Sequence, residues 1–445
     1  MKRILVLGAG LSSSSLIKYL LDHSEQYDWK VAIGDMSADV AMRKADNHPN
    51  GEGFSFDVFN DKQREEEIEK SDIVISMLPA RFHTLVANDC VRIGRDMVTA
   101  SYVSPEIKAM DEQARAKDII MLNEIGVDPG IDHMSAMQII DDIREKGGKL
   151  LAFKSSTGGL IAPEFDTNPW NYKFTWNPRN VVLAGQGTAM FIRNGRYKYI
   201  PYNKLFDRLE NVEIPGYGEF EIYPNRDSLK YRSIYGLENI PTMFRGTMRR
   251  PGYSQAWNVF VQLGMTDDTY EMENVEDMTY RVFINSFLPY HPDRSVEDKL
   301  CEFLGIEMDS DIMKKLEWLG IFDDKSVGLS KGTPAQVLQN LLVEKWALGD
   351  EDKDMISMYH HFEYEIDGKM KELVSRMVVI GEDQVHTAMS ITVGVPVAIA
   401  VKLILTGKIT NKGVQVPIVK DIYEPVMEEL AAYGIKFDES ERELN

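Results

Sequence analysis

The sequence predicts an α/β protein built on a doubly wound parallel sheet. Residues 3–7 form a short apolar strand that ends in a glycine-containing turn, and an apolar-periodic helix follows at once. Residues 30–34 form a second apolar strand that ends at Asp35. Strand-like and helix-like segments then alternate over the first 130 residues. This alternation is typical of a parallel sheet covered by helices.

The turn after the first strand is typical of dinucleotide-binding, Rossmann-type domains. Gly8 permits the tight turn, Gly10 lets the backbone approach a pyrophosphate, and the small Ser13 lets the helix pack on the strand. Leu11 and Ser12 complete the turn at the start of the helix, where free N–H groups favour an anion. Because the third small residue is Ser, the motif alone is weak. Its position directly after a strand favours a dinucleotide site over a chance turn.

Asp35 predicts the cofactor that is preferred. A carboxylate at the end of the second strand accepts hydrogen bonds from ribose hydroxyls and repels a 2′-phosphate, which favours NAD over NADP. Two alternatives stay open. Asp35 could cap the following helix, a role for which Ser37 competes. Arg43 and Lys44 could meet a 2′-phosphate, so NADP remains possible.

Composition bounds the class of protein. A chain of 445 residues with 44% hydrophobic and 27% charged residues predicts two or three domains with substantial cores. Its net charge of −20 argues against nucleic acid and anionic membranes as partners. Cys90 and Cys301 lack metal-ligand spacing, so we expect no disulfide framework and no metal. Because the first strand begins almost at once, we expect no leader. We also expect no membrane-spanning segment, and therefore a soluble, cytoplasmic protein.

The chain divides near residue 150. Before it, six strands are predicted, at residues 3–7, 30–34, 53–56, 73–77, 97–100 and 119–122. Ligands bind beyond the carboxyl ends of such strands, so the residues just past each strand are candidate site residues. Further strands are predicted at residues 151–157, 217–223, 354–367 and 369–381, and helices over most of residues 253–350 and at 386–405 and 423–433. A substrate domain inserted before a returning C-terminal segment fits this order.

Three later segments carry chemistry that a scaffold does not need. Residues 123–133 place three carboxylates and a histidine beside two glycines and a proline. Arg226 and Arg245 each stand in a turn-like context at the end of a predicted strand. Such arginines are either solvated surface charges or planar forks for carboxylates.

The residues of these segments, and their order along the chain, resemble saccharopine dehydrogenase of the glutamate-forming type, the saccharopine reductase family. The match at residues 123–133 is highly specific, whereas the glycine turn is not. The matching segments are residues 74–79, 82–83, 101–105, 123–133, 158–160, 162–164, 168–169, 172–176, 223–228, 245–247, 318–320 and 392–400. One departure is that Asp35-Met36-Ser37 stands where NADP-using members carry an Arg-containing segment, which agrees with NAD.

The resemblance implies three domains and a homodimer. The implied Rossmann-type dinucleotide domain comprises residues 1–130 and 386–445, the mixed α/β substrate-binding and dimerisation domain residues 131–252 and 351–385, and the small helical domain residues 253–350. The implied cofactor contacts beyond the glycine turn are Asp57, Val58, Met77, Leu78, Val127, Asp128, Pro129 and Thr175. The implied substrate contacts are Ser101, Tyr102, Asp128, Arg226, Arg245, Gly246 and Thr247.

The resemblance also implies the reaction. Hydride passes from saccharopine to the nicotinamide, and the resulting imine is hydrolysed to L-glutamate and 2-aminoadipate 6-semialdehyde. Asp128 and Tyr102 are the candidate acid–base residues, with His133 and Lys173 behind them. A structural role is the preferred interpretation for His133 and His83.

Two other functions stay open. One is a related dehydrogenase acting on a different secondary amine, such as a carboxylated polyamine. The other is an NAD-binding regulatory protein without catalysis. The sequence leaves open whether the reaction serves lysine synthesis or degradation.

Overall fold

A computed structural model describes residues 1–444. The strands are β1 (Lys2–Leu7), β2 (Trp29–Asp35), β3 (Gly51–Ser55), β4 (Ile73–Ser76), β5 (Asp96–Val98), β6 (Ile120–Leu122), β7 (Lys149–Ile161), β8 (Ala189–Arg193), β9 (Arg196–Ile200), β10 (Glu210–Ile214), β11 (Gly218–Pro224), β12 (Thr242–Arg249), β13 (Asp354–Ile366), β14 (Lys369–Ile380), β15 (Gly413–Gln415) and β16 (Phe437–Leu444).

The helices alternate with these strands in the first part of the chain and cluster between β12 and β13 in the second. They are α1 (Ser14–Asp22), α2 (Ser24–Tyr27), α3 (Ala38–Ala45), α4 (Asp61–Glu69), α5 (His83–Ile93), α6 (Pro105–Lys108), α7 (Asp111–Ala116), α8 (Ile131–Glu145), α9 (Pro178–Val182), α10 (Tyr231–Ile234), α11 (Tyr253–Leu263), α12 (Tyr280–Asn285), α13 (Val296–Leu304), α14 (Asp311–Leu319), α15 (Pro334–Lys345), α16 (Ala388–Leu405) and α17 (Lys420–Tyr433).

Contacts within the chain define two compact units. The first comprises Met1–Leu150, Tyr364–Lys371 and the chain from Met377 onward, and the second comprises Leu151–Glu363 and Glu372–Arg376. Helix α8 belongs to the first unit, and the helices of residues 253–350 are counted with the second. The division of the sequence into three domains stays a prediction.

The first unit is built on a seven-stranded sheet in the order β15-β6-β5-β4-β1-β2-β3. Every pairing in it is parallel, and β1 pairs with both β2 and β4. Residues 4–7 of β1 are fully buried, as expected for a parallel strand covered on both faces. The predicted fold class is confirmed, and the six predicted strands all exist with ends shifted by at most two residues.

Helix α16 corrects one expectation. Its 18 residues have a mean hydropathy of 2.1, so by length and composition this helix could cross a membrane, contrary to the sequence interpretation. However, 78% of that window is buried inside the protein. Helix α16 packs on α1 and α17, and Gly394 lies against Leu16 of α1. Such burial is typical of a core helix, whose apolar faces are all covered by protein.

The second unit is built on a mixed sheet that contains the run β10-β11-β12-β7-β13-β14. Strand β12 pairs antiparallel with β11 and parallel with β7, and the hairpin of β8 and β9 joins β12 at Ile192. An aromatic cluster fills the core beside α11, with Trp170 stacked on Phe260 and in edge contact with Trp346. The sequence analysis gave no residue ranges for strands β8, β9, β10, β12, β15 and β16.

Candidate active site

The glycine turn after β1 has the predicted geometry. Gly8 has a φ of +99°, and a Cβ added there would lie 2.8 Å from the carbonyl oxygen of Met77. Gly10 needs no unusual φ, but no described atom lies within 4 Å of the place where its Cβ would be. Ser13 is buried, and its hydroxyl donates to the Gly10 carbonyl at 2.7 Å. The Ser13 hydrogen bond therefore stabilises the turn from within the protein, and the space beside Gly10 stays open.

Asp35 is fixed beside the same turn. Its Oδ2 accepts a hydrogen bond from the backbone N–H of Ala9 at 2.8 Å, and its Oδ1 accepts one from Ser37 N at 3.0 Å. Ser37 is the N-cap of α3, because its hydroxyl accepts from Val40 N. The alternative in which Asp35 caps that helix is wrong. The carboxylate lies where the sequence placed it, at the end of β2 and next to the glycine turn.

Arg43 and Lys44 lie in the last turn of α3. The Lys44 ammonium donates to the hydroxyl of Ser14, the first residue of α1. Burial, and secondarily the charge of Arg43, lowers the pKa of Lys44 below its ordinary value. Both side chains line a cavity of about 350 Å³ that also contains His48 and His386. Lys18, Asp22 and Asp46 line the same cavity, so cations and carboxylates both surround this space beside α1.

Predicted cofactor residues follow the carboxyl ends of β3 and β4. Asp57 accepts a hydrogen bond from Phe59 N at 2.9 Å, and the carbonyl of Val58 accepts one from Arg64. Met77 N donates to the Leu7 carbonyl at 2.8 Å, so Met77 and the adjoining Leu78 lie at the end of the central strands. This edge is where ligands bind in open parallel sheets.

The two candidate acid–base residues are brought together. The Tyr102 hydroxyl donates to Asp128 Oδ1 at 3.2 Å, although the residues are separated by 26 positions. Tyr102 is 40% exposed, so its ring is accessible from solvent. A phenol hydrogen-bonded to a carboxylate can pass a proton between a reacting group and that carboxylate.

A buried histidine supports the segment that carries Tyr102. His133 lies in the first turn of α8, fully buried, and its Nε2 is 2.8 Å from Glu124 Oε2. Glu124 Oε1 accepts from Val103 N at 3.0 Å, and Glu124 N donates to the Ser101 carbonyl at 3.0 Å. These contacts fit the structural role preferred for His133. The sequence analysis did not single out Glu124. The one feature that could have indicated it is its position within the segment of residues 123–133.

A second histidine also contacts this segment. His83 Nε2 is 2.7 Å from the hydroxyl oxygen of Ser101, and its Nδ1 is 2.8 Å from that of Ser76 at the end of β4. Desolvation by burial lowers the pKa of His83 to about 4. The sequence interpretation of His83 as a purely structural residue missed its contact with a predicted substrate residue.

The second unit carries the two predicted arginines. Arg226 is exposed in the turn after β11, with an unusual φ of +36°, and its carbonyl accepts from Met190 N at 2.7 Å. Arg245 is buried, with its guanidinium 4.1 Å from the centroid of the Tyr231 ring. Asn225 N donates to the Arg245 carbonyl at 2.8 Å, so the two arginine-bearing segments are adjacent.

The turn-like context predicted for Arg245 is wrong, because this residue lies inside β12. The glycine that suggested a turn has a packing reason. A Cβ on Gly246 would lie 2.2 Å from a methyl carbon of Ile222 on the neighbouring strand. Thr247, the third predicted substrate residue of this segment, pairs with Tyr223 of β11. Close approach of two strands therefore explains Gly246.

Thr175 lies in a firmly held loop of the second unit. Phe174 N donates to the Trp346 carbonyl at 2.7 Å, and Lys173 forms an ion pair with Asp352. Thr175 is buried, and its hydroxyl has no hydrogen-bond partner among the described residues. A buried hydroxyl without a partner in the protein is suited to a ligand. Lys173 is engaged with a carboxylate, which weakens its candidacy as the base.

Comparisons with known proteins cover nearly the whole chain. The family described as saccharopine dehydrogenase NADP binding domain matches residues 4–122, and the saccharopine dehydrogenase C-terminal domain matches residues 126–435. The solved structure of apo saccharopine dehydrogenase (L-Glu forming) from Saccharomyces cerevisiae has a TM-score of 0.90 and 30% identity, covering 99% of this chain and 100% of that one.

Two kinds of relatives differ in length. Saccharopine dehydrogenase [NADP(+), L-glutamate-forming] from Pyricularia oryzae is 33% identical over 449 residues, covering 98% of each chain. The mitochondrial alpha-aminoadipic semialdehyde synthase of Rattus norvegicus is 35% identical over 98% of this chain, which spans only 47% of that relative's length. Together with both family matches, these similarities show that the chain belongs to the saccharopine dehydrogenase family.

Proposed function

We propose that this protein oxidises saccharopine with a nicotinamide dinucleotide and releases L-glutamate and 2-aminoadipate 6-semialdehyde. The observation that carries the proposal is the similarity, over 98% of both chains, to a fungal enzyme whose name states the L-glutamate-forming reaction. The chain spans about half of the alpha-aminoadipic semialdehyde synthases that it also matches. The activity is therefore proposed for the residues present here.

The first unit fits a dinucleotide. A side chain at Gly8 would collide with backbone, and the space beside Gly10 is open. We propose that residues 8–13 hold the pyrophosphate, that Asp35 holds the adenosine ribose, and that Thr175 of the second unit also contacts the cofactor. When bound, the nicotinamide supplies the hydride acceptor. The further proposed contacts are Asp57, Val58, Met77, Leu78, Val127, Asp128 and Pro129.

The substrate is anionic, whereas the protein is acidic overall. Saccharopine carries three carboxylates, and a chain with a net charge of −20 needs dedicated cations to bind it. We propose that Arg226 and Arg245 bind these carboxylates through charge-assisted hydrogen bonds. Ser101, Gly246 and Thr247 are proposed to complete the substrate contacts.

Tyr102 and Asp128 are the proposed acid–base pair. The hydrogen bond between them lets Asp128 receive a proton that Tyr102 takes from the substrate amine. After Asp128 releases this proton to solvent, the same pair would accept a proton from the water that attacks the imine. The remaining work of the chain is to orient the substrate and exclude bulk water until the imine forms.

We infer that NAD is preferred to NADP, because the Asp35 carboxylate stands beside the glycine turn and would repel a 2′-phosphate. The names of the fungal relatives state NADP(+), and Arg43 and Lys44 keep this alternative open. The test is the ratio of kcat/KM for NAD to that for NADP. Asp35→Ser should lower this ratio about tenfold or more, as expected for loss of a hydrogen-bonding carboxylate. Asp39→Ser, an equal charge change at an exposed position in the first turn of α3, is the matched control.

An unchanged ratio in Asp35→Ser would show that this carboxylate does not choose the cofactor. A wild-type preference for NADP would contradict the NAD proposal directly.

A spectrophotometric assay tests the activity itself. Purified protein should reduce NAD or NADP when saccharopine is added, and mass spectrometry should identify glutamate as the released amino acid. Release of lysine would contradict the glutamate-forming reaction. Turnover only with a carboxylated polyamine would support a dehydrogenase that acts on a different secondary amine. Dinucleotide binding without amine oxidation would support an NAD-binding regulatory protein.

The homodimer and the cytoplasmic location remain predictions. Sedimentation equilibrium of the purified protein tests the first, and cell fractionation tests the second.

A further inference from the structure

A hydrogen-bonded chain of three side chains, two of them buried, lies at the carboxyl edge of the parallel sheet. The imidazole of His83 stands between the hydroxyls of Ser76 and Ser101, with Nδ1 to Oγ at 2.8 Å and Nε2 to Oγ at 2.7 Å. Ser76 ends β4, His83 begins α5, and Ser101 follows β5. Three neighbouring elements of the first unit thus meet in one short chain.

The imidazole is neutral at physiological pH, so one of its nitrogens donates and the other accepts. Ser76 is fully buried, and His83 is the one hydrogen-bond partner of its hydroxyl among the described residues. A buried hydroxyl that only accepted would leave its own proton without a partner, which costs free energy. Ser76 therefore donates to Nδ1, and the proton of the ring is on Nε2.

This tautomer fixes the role of Ser101. The Nε2–H group donates to the Ser101 oxygen, so the hydroxyl proton of Ser101 is left for another acceptor. The backbone of Ser101 cannot adjust freely, because its N–H donates to Thr99 Oγ1 at 3.2 Å and its carbonyl accepts from Glu124 N at 3.0 Å. His83 thus decides the direction of this hydroxyl, which is half-buried rather than enclosed.

We propose that His83 is a positioning residue that holds the Ser101 hydroxyl as a hydrogen-bond donor toward a carboxylate of the substrate. This inference rests on the proposed function, in which Ser101 binds saccharopine. It adds a residue that acts through Ser101 and does not itself touch the substrate. In this proposal the Ser76 hydroxyl selects the tautomer of the His83 ring.

Kinetics of four variants test the positioning role. His83→Leu removes the ring N–H, and we expect the saccharopine KM to rise about tenfold with the NAD KM within about twofold of wild type. His83→Gln keeps an N–H near the position of Nε2 and should restore most of the saccharopine KM. Ser101→Ala should match His83→Leu, and the double variant should be no worse than Ser101→Ala alone.

Cys90→Ala is the matched control for damage to α5, since Cys90 is buried in the same helix and its thiol lies outside the chain of three side chains. A rise in KM for Cys90→Ala equal to that of His83→Leu would reduce the effect to packing and overturn the proposal. Independent, multiplicative effects of His83→Leu and Ser101→Ala would overturn it as well.

A measurement without turnover separates this inference from the proposed function. Nitrogen NMR of ¹⁵N-histidine-labelled protein reports which ring nitrogen carries the proton, and His83→Gln identifies the signal among the eight histidines. Protonated Nε2 supports the assignment, and protonated Nδ1 overturns it. If the wild type does not oxidise saccharopine, the proposed function fails, and the tautomer alone then decides the assignment of His83.

Discussion

Arg226 and Arg245 are both proposed to bind the substrate, but they differ in burial and in backbone conformation. Arg245 is buried over the Tyr231 ring, which limits the positions that its guanidinium can take. Arg226 is exposed, but its backbone is held in the left-handed region by the chain around it. A non-glycine residue pays a conformational cost there, so a functional reason is the natural hypothesis.

Replacing either arginine by alanine should raise the saccharopine KM by about one to two decades, because a charge-assisted hydrogen bond to a carboxylate is lost. The cofactor KM should stay close to wild type. Steady-state kinetics measure both values, and Arg196→Ala, an exposed arginine on β9, is the control. A variant with normal saccharopine KM would remove that arginine from the substrate site.

His83 also gives the protein a pH-dependent stability. Its pKa is about 4 in the folded protein, against 6.5 for an unperturbed histidine, because burial disfavours the imidazolium. Between these values the unfolded chain binds a proton that the folded protein does not, so stability falls as pH falls. Through His83 the free energy of unfolding is therefore about 3 kcal/mol lower at pH 4 than at pH 7.

Chemical denaturation of wild type and His83→Gln at several pH values checks this contribution. The difference between the two free energies of unfolding should narrow, or change in favour of the variant, from about pH 6.5 downward. If the difference between the two free energies of unfolding does not change with pH, burial does not lower the pKa of His83.

At the scale of elements, the close packing of α16 against α1 holds the start of the helix that follows the glycine turn. A Cβ on Gly394 would lie 2.8 Å from Leu16 N and 3.0 Å from Leu16 Cβ, so these helices touch by backbone. The long apolar sequence of α16 is explained by this enclosure on all sides.

Gly394→Ala should therefore lower the free energy of unfolding by about 1–3 kcal/mol through overpacking. The intrinsic helix preference for Ala acts in the opposite direction by about 1 kcal/mol. Gly332→Ala is the control, because no atom lies closer than 3.4 Å to its added Cβ. A stabilised Gly394→Ala protein would show that the helices can separate without cost.

At the scale of the whole molecule, the excess of acidic side chains is the dominant electrostatic property. A net charge of −20 makes the folded chain repel itself, and mobile ions screen that repulsion. Many ion pairs of the first unit lie at its surface, such as Lys371–Glu441 and Lys369–Glu443, and contribute little individually.

Raising NaCl from about 0.01 M to about 0.15 M, which shortens the Debye length from about 30 Å to about 8 Å, should raise the thermal unfolding midpoint at pH 7.5. The same addition near pH 4.9, the isoelectric point of the sequence, should change the midpoint little. Calorimetry at both pH values decides this. A midpoint that falls with salt at pH 7.5 would mean that attractive pairs outweigh the overall repulsion.

Local patterns predicted much of the first unit. Strands β1 and β2 are buried on both faces, so they appear in the sequence as continuous apolar runs. Gly8 and Asp35 follow these strands directly, and their places depend on only a few neighbouring residues. The same reasoning found the hairpin of β13 and β14 around Gly368, since its turn lies between two alternating runs.

The rest was decided by contacts between residues far apart in the chain. Arg245 reads locally as a turn residue, and only the pairing of β12 with β11 and β7 makes it part of a strand. The chain of Ser76, His83 and Ser101 needs three elements to converge. Sequence by itself thus determined the fold class, the glycine turn and the acidic residue after β2, because short-range sterics and burial dictate them. Tertiary structure alone decided the partners of buried polar side chains, because hydrogen bonds depend on which distant segments pack together.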